Sequence, residues 1–211
     1  MIKNLIKSII PHSILVLKRN ITGKAEIEQW RKNGSPTPPP HPLKQVTIRA
    51  YKNKFKLSTL IETGTYMGTM VEAQRTYFDK IISIEVSDEL YKIVKDKFKQ
   101  YNHIILFKGD SGEIMPDVLK DIKEPCLFWL DGHYSSGVTG KGELNTPIFK
   151  ELDAIFANNK NHIILIDDAR CFIGEDDYPT IEKLKEYVLK LNPNYHLKSE
   201  DDIIRLTPSL N

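Results

Sequence analysis

Five short apolar runs, each stopping at a carboxylate, constrain this chain more than any other feature. Leu60-Ile61 stops at Glu62, Ile81-Ile82-Ser83-Ile84 at Glu85, and Ile104-Ile105-Leu106-Phe107 just before Asp110. Cys126-Leu127-Phe128-Trp129-Leu130 stops at Asp131, and Ile163-Ile164-Leu165-Ile166 at Asp167-Asp168. Apolar runs without polar alternation are strands buried on both faces, as in a parallel sheet. Helical stripes lie between them. Leu90, Val94 and Phe98 follow a Ser87 cap with acids in the first turn, and Ile148, Leu152, Ile155 and Phe156 follow Thr146-Pro147. Ile181, Leu184, Val188 and Leu191 form a third stripe, and Tyr195-His196-Leu197 with Ile203-Ile204-Arg205-Leu206 reads as a closing hairpin. The expected fold is α/β: a doubly wound, mostly parallel sheet with a C-terminal antiparallel hairpin and an N-terminal helical arm.

A chain of 211 residues holds one substantial domain and a short appendage. Residues 1–60 carry 12 Lys/Arg against 2 Asp/Glu, while the remainder carries 18 against 26. A basic arm before an acidic body suits an anionic surface, such as a membrane leaflet, or is simply a solvated basic face. Pro36, Pro38, Pro39 and Pro40 exclude a helix or central strand between them, so residues 1–45 read as arm and stiff connector and 46–211 as the main domain. Ile2, Leu5, Ile6, Ile9 and Ile10 share one helical face, suited to the domain itself, to a second copy in a homodimer, or to a membrane surface. Pro11-His12-Ser13 interrupts that segment and no small-residue cleavage site follows, which argues against a signal peptide. Two cysteines make no disulfide framework, and the expected location is cytoplasmic, including the inner periphery of the membrane.

In an open α/β sheet, ligands bind beyond the carboxyl ends of the strands. Asp is an ordinary turn residue, but five acidic endings on one edge exceed what turns require. The first ending, Glu62-Thr63-Gly64-Thr65-Tyr66-Met67-Gly68, leads into a helix through Val71 and Ala73 toward Tyr77-Phe78. Its glycine spacing is neither the dinucleotide G-x-G-x-x-G nor a phosphate loop. An acid two residues before the first glycine repels a pyrophosphate and suits a cationic ligand. Glu85, 21 residues beyond Gly64, stands where a carboxylate accepts hydrogen bonds from ribose hydroxyls.

These segments, with Gly109-Asp110-Ser111, resemble the nucleoside-binding motifs of class I S-adenosylmethionine-dependent methyltransferases. The resemblance covers roughly residues 58–207, includes the terminal hairpin, and implies S-adenosylmethionine as cosubstrate. It implies that Glu62, Gly64, Thr65, Tyr66 and Gly68 surround the methionine part, that Glu85 holds the ribose, and that Asp110 and Ser111 bind the adenine. Tyr66 departs from the pattern, which more often has glycine there.

Asp131, Asp167 and Asp168 are expected to converge beside that site, where clustered carboxylates require protons, cations or a metal. This resembles the metal-dependent sugar O-methyltransferases of macrolide and aminocoumarin biosynthesis, and the resemblance implies Mg²⁺ on Asp131, Asp167 and Asp168. It implies a small-molecule or glycan acceptor offering a sugar hydroxyl. His133 has the right chemistry for the general base, with Asp131 beside it as a second catalytic residue. The other assignment gives Asp167-Asp168 to the turn before Ala169, with Arg170 as their partner. The glycine-rich segment Tyr134–Glu143 is expected to act as a lid. Two further classes stay open: a metal-dependent hydrolase or hydroxylase using Asp131, His133, Asp167 and Asp168, and a non-catalytic binding module. Nucleic acid is not the expected acceptor, because the body is acidic and the Asn-Pro-Pro-Tyr signature of amino-group methylation is absent.

Overall fold

The computed structural model describes residues 12–132 and 146–209. They form two compact units, one up to Thr47 and one from Ile48 onward. The larger unit is built on seven strands: β1 (Thr59–Thr63), β2 (Lys80–Glu85), β3 (Ile104–Lys108), β4 (Leu127–Leu130), β5 (Ile163–Ile166), β6 (Tyr195–Glu200) and β7 (Ile203–Pro208). Their order in the sheet is β3-β2-β1-β4-β5-β7-β6. The pairs β1–β2, β2–β3, β1–β4 and β4–β5 are parallel, and β7 runs antiparallel to both β5 and β6. All five acid-ended strands therefore finish on one edge, as the sequence predicts. The chain leaves β1 for β2 and β3 on one flank, then returns to β4 on the other. In open α/β sheets ligands bind at such a reversal, here at the carboxyl ends of β1 and β4.

Numbering the helices from the first one described, the sheet is covered by α3 (Thr69–Gln74), α4 (Asp88–Phe98), α5 (Ser111–Leu119), α6 (Ile148–Asn158) and α7 (Ile181–Leu191). One face packs Ile61, Phe128, Leu130, Ile164 and Ile166 against Met115, Leu152, Ile155, Leu184 and Val188. The other packs Leu60, Ile81, Leu127, Trp129 and Leu165 against Met70, Val71, Val94 and Phe98. Strand alternation accounts for the split, because neighbouring residues point to opposite faces. At the end of β1, Glu62 lies in register with Ser83 and Trp129, and Thr63 with Ile84 and Leu130.

Local signals hold in detail. Ser87 caps α4, accepting from the Leu90 amide, and Leu90, Val94 and Phe98 are buried. The hairpin turns on Asp201 and Asp202, with φ of 51° and 61°, a left-handed pair that matches strand twist. Two boundaries differ. α3 ends at Gln74, because the Tyr77 amide turns back to Gln74 and Phe78 enters the core before β2. Pro147 rather than Thr146 takes the cap position of α6.

In the smaller unit, α1 (His12–Lys32) leads to α2 (His41–Phe55), which runs on past Thr47. The proline segment joins the two helices. Trp30 Nε1 donates to the Pro36 carbonyl at 2.7 Å, and Ile27, Trp30 and Leu43 pack together with Val46. Pro42 fits the first turn of α2, where a missing N–H costs nothing. The predicted amphipathic face Ile2–Ile10 lies outside the described residues. Among the described residues no helix is long and apolar enough to cross a membrane.

Candidate active site at the carboxyl edge of the sheet

The turn after β1 is shaped by close backbone approach. Gly64 has φ 79°, and a Cβ there would overlap the Asp131 carbonyl, lying 2.9 Å from its carbon. Gly68 has φ 67°, and a Cβ there would meet the Phe98 ring at 2.5 Å. Between them Tyr66 holds φ 49°, a left-handed conformation that side chains rarely adopt. Glu85 stabilises it: Oε2 accepts from the Tyr66 amide at 2.7 Å and Oε1 from the Ser87 amide at 2.8 Å. A carboxylate has about four acceptor directions, so both oxygens retain capacity for ligand hydroxyls. Tyr66 and Met67 are exposed on the open side of the turn.

Glu62 lies beneath this turn, only 2% exposed. Ser83 Oγ sits 2.5 Å from its Oε2 and 2.6 Å from Thr65 Oγ1. Burial pushes the Glu62 carboxyl up to about 8, with Asp131 and Glu85 adding negative charge and the Ser83 hydroxyl pulling the other way. A second buried acid, Glu151 on α6, accepts from Ser111 Oγ at 2.5 Å and is raised by burial to about 7. Both acids keep their protons in the folded chain at pH values where the unfolded chain has lost them, so stability falls as pH rises between those limits. His162 opposes them at lower pH. Its Nδ1 accepts from the Cys126 amide, burial lowers it to about 4, and its contribution is complete above its unfolded value near 6.5. Between about pH 6.5 and 8 the acids act alone, and unfolding free energy is expected to fall by about 2 kcal/mol. Denaturant titration of Glu62→Gln should show most of that slope removed.

The remaining predicted residues are held by hydrogen bonds within and between the segments that carry them. Asp110 caps α5, accepting from the Gly112 amide at 2.8 Å. Thr65 and Ser111, expected beside the cosubstrate, have their hydroxyls hydrogen-bonded to Ser83 at 2.6 Å and to Glu151 at 2.5 Å. Asp131 continues β4, its amide donating to the Thr63 carbonyl at 3.2 Å. Asp167 accepts from the Asp168 amide at 2.9 Å. Asp168 accepts from Arg170 at 2.7 Å, and the same guanidinium pairs with the buried Asp202 of the hairpin turn.

Among the described residues no three His, Cys, Asp or Glu side chains form a group able to hold a metal ion. The predicted set of Asp131, Asp167 and Asp168 is therefore not assembled, and the reason is visible. Arg170 supplies the positive charge that the sequence reading gave to Mg²⁺. The hydrolase or hydroxylase alternative depended on the same set. His133 and the expected lid lie outside the described residues.

Ser83, Glu151 and Asp202 were not singled out from sequence. Ser83 showed itself as the one polar break in the β2 run, and Glu151 falls three residues after Ile148 on the apolar stripe of its helix. A charge at a core position is a usable signal. The contact of Arg170 with Asp202 joins positions 32 apart and left no local trace.

No protein-family model matches the sequence, and no curated protein does. Solved structures match the fold. The SAH-bound methyltransferase PaMTH1 of Podospora anserina aligns over 94% of this chain and 88% of its own, with a TM-score of 0.57 at 15% identity. The O-methyltransferase from Bacillus cereus in complex with SAH aligns over 98% and 96%, with 0.56 at 10% identity. TomG of Streptomyces achromogenes, an O-methyltransferase of tomaymycin synthesis in complex with SAM, aligns over 90% and 89%, with 0.56 at 9% identity. At such identities the likeness is one of architecture, and the chain has the Rossmann-like methyltransferase fold.

Proposed function

We propose that this protein is an S-adenosylmethionine-dependent O-methyltransferase. The observation that carries the reading is the row formed by the Gly64–Gly68 turn, Glu85 and Asp110 at the ends of the consecutive strands β1, β2 and β3. The turn offers a close backbone approach, Glu85 two oxygens for a pair of hydroxyls, and Asp110 an acceptor one strand further on. Acids dominate this edge, which suits a sulfonium-bearing ligand and not a phosphate. The three solved structures named above, each described as a methyltransferase, support the same assignment.

When bound, S-adenosylmethionine supplies an electrophilic methyl on a positively charged sulfur. The chain's own task is to hold an acceptor oxygen in line with that methyl and to remove its proton, orientation contributing much of the rate. With the cosubstrate bound, an acceptor oxygen taking that methyl would give up its proton to His133. Asp131, at the end of β4 beside the reversal point, orients the acceptor and stabilises the protonated imidazole. We infer a neutral, hydroxyl-rich acceptor, such as a sugar of a glycan or glycosylated metabolite. Asp131, partly exposed at this edge, disfavours anions and provides acceptors for hydroxyl groups. No step is assigned to a metal.

The test is calorimetric titration of S-adenosylmethionine into the purified protein, with and without Mg²⁺. Micromolar binding that does not depend on Mg²⁺ is expected. Absence of binding under both conditions sinks the proposal.

A further inference from the structure

Two buried carboxylates lie under the carboxyl end of β1, one on each face of the sheet, and the proposed chemistry uses neither directly. Glu62 has its place in the glycine turn. Glu151 does not, yet it is 2% exposed and sits where three segments of the site meet. Its Oε1 accepts from Ser111 Oγ at the start of α5, and its carboxylate also accepts from the Thr63 hydroxyl at the end of β1. Thr63 is fully buried, and its Oγ1 accepts from the Asp131 amide at 3.3 Å. Gly132 packs against the same two hydroxyls, since a Cβ there would lie 3.0 Å from Thr63 Oγ1 and 3.3 Å from Ser111 Oγ. One side chain on α6 thus ties together the turn leading to Gly64, the turn after β4, and the segment of Asp110 and Ser111.

The direction of these hydrogen bonds matters. An ionised carboxylate has no donor of its own and accepts from both hydroxyls at once. That leaves the Thr63 oxygen free to accept from Asp131. A protonated acid or an amide puts a donor in the middle and turns one hydroxyl around. Asp110 at the head of α5 raises this carboxyl further, and the pair Lys150–Glu113 lies at the exposed rim of the α5–α6 contact. Asp131 is reached through Thr63, and Glu62 lies on the opposite face.

We propose that Glu151 is a positioning residue for the cosubstrate: its ionised carboxylate, gripping Ser111 and Thr63, fixes the ends of β1 and β4 and the start of α5 as one platform, so that cosubstrate affinity follows the charge on Glu151. This inference rests on the proposed function. It makes Glu151 a control on affinity that touches no ligand atom.

The test compares S-adenosylmethionine affinity from about pH 6 to about pH 8 in the native protein, Glu151→Gln and Glu62→Gln, with thermal unfolding of each variant. Native affinity is expected to rise roughly tenfold across that range. Glu151→Gln should bind roughly tenfold more weakly at the upper end and lose the rise, while unfolding no earlier than native, because a buried charge has been removed. Glu62→Gln, on the opposite face of the sheet, should change the absolute affinity without removing the rise. Native-like affinity of Glu151→Gln at the upper end overturns the inference and leaves the proposed function standing. Equal loss of affinity and of thermal stability also overturns it, by showing a merely structural role. A native protein that binds nothing at any pH is a distinct result, which overturns the cosubstrate assignment and this inference with it.

Discussion

Replacing Gly64 with alanine is expected to abolish cosubstrate binding and to lower the thermal midpoint by on the order of 10 °C. Two costs combine. The residue has φ 79°, where an L side chain costs about 1–2 kcal/mol, and its added Cβ has no room against the Asp131 backbone. Overpacking against backbone costs a further 1–3 kcal/mol or so, because a backbone has no rotamer to change. The overlap is relieved only by parting β1 from β4, which moves the turn and Asp131 apart together. Circular dichroism melting and titration of S-adenosylmethionine measure the two effects, and an alanine variant with native melting and native binding would refute the close approach.

Glu85→Gln is expected to reduce S-adenosylmethionine affinity by about two orders of magnitude, since hydrogen bonds to a charged acceptor contribute roughly 1.5–3 kcal/mol each. The amide fails for a second reason. Both oxygens of Glu85 accept from backbone N–H groups, of Tyr66 and of Ser87, so an amide nitrogen always faces a donor. That removes support from the strained Tyr66 and loosens the turn as well as the ribose contact. Glu85→Asp keeps the charge but withdraws it, and should fall between the two. Binding by Glu85→Gln within a factor of about three of native would rule out the ribose role.

The architecture was largely legible because it rests on signals of short range. The runs at Ile81–Ile84 and Ile163–Ile166 show buried strands, Ser87 starts a helix, and the reversal of strand order follows the usual doubly wound pattern. The acidic endings marked the edge where the site lies. What was not legible depends on side-chain partnership across the fold. Whether Asp168 faces a metal ion or an arginine turns on Asp202, which the β6–β7 hairpin brings to Arg170. The inward partners of the Thr65 and Ser111 hydroxyls, Ser83 and Glu151, lie 18 and 40 positions away and left no local trace. The proline run showed that helices stop there, but Trp30 decides that the chain folds back.

The order of strands also sets a schedule for synthesis. β1 is made first, β2 pairs with it and β3 with β2, so three adjacent strands are available once the chain has passed Lys108. The other flank of β1 stays unpaired until Leu127–Leu130 emerges, and Leu60 and Ile61, both fully buried in the finished protein, border that open edge. A nascent chain stalled between β3 and β4 therefore presents an apolar strand with free hydrogen-bonding groups, the kind of edge that recruits other chains. Slow codons or a truncation in that interval should yield aggregate, whereas a pause after β4 has closed the centre of the sheet should be tolerated.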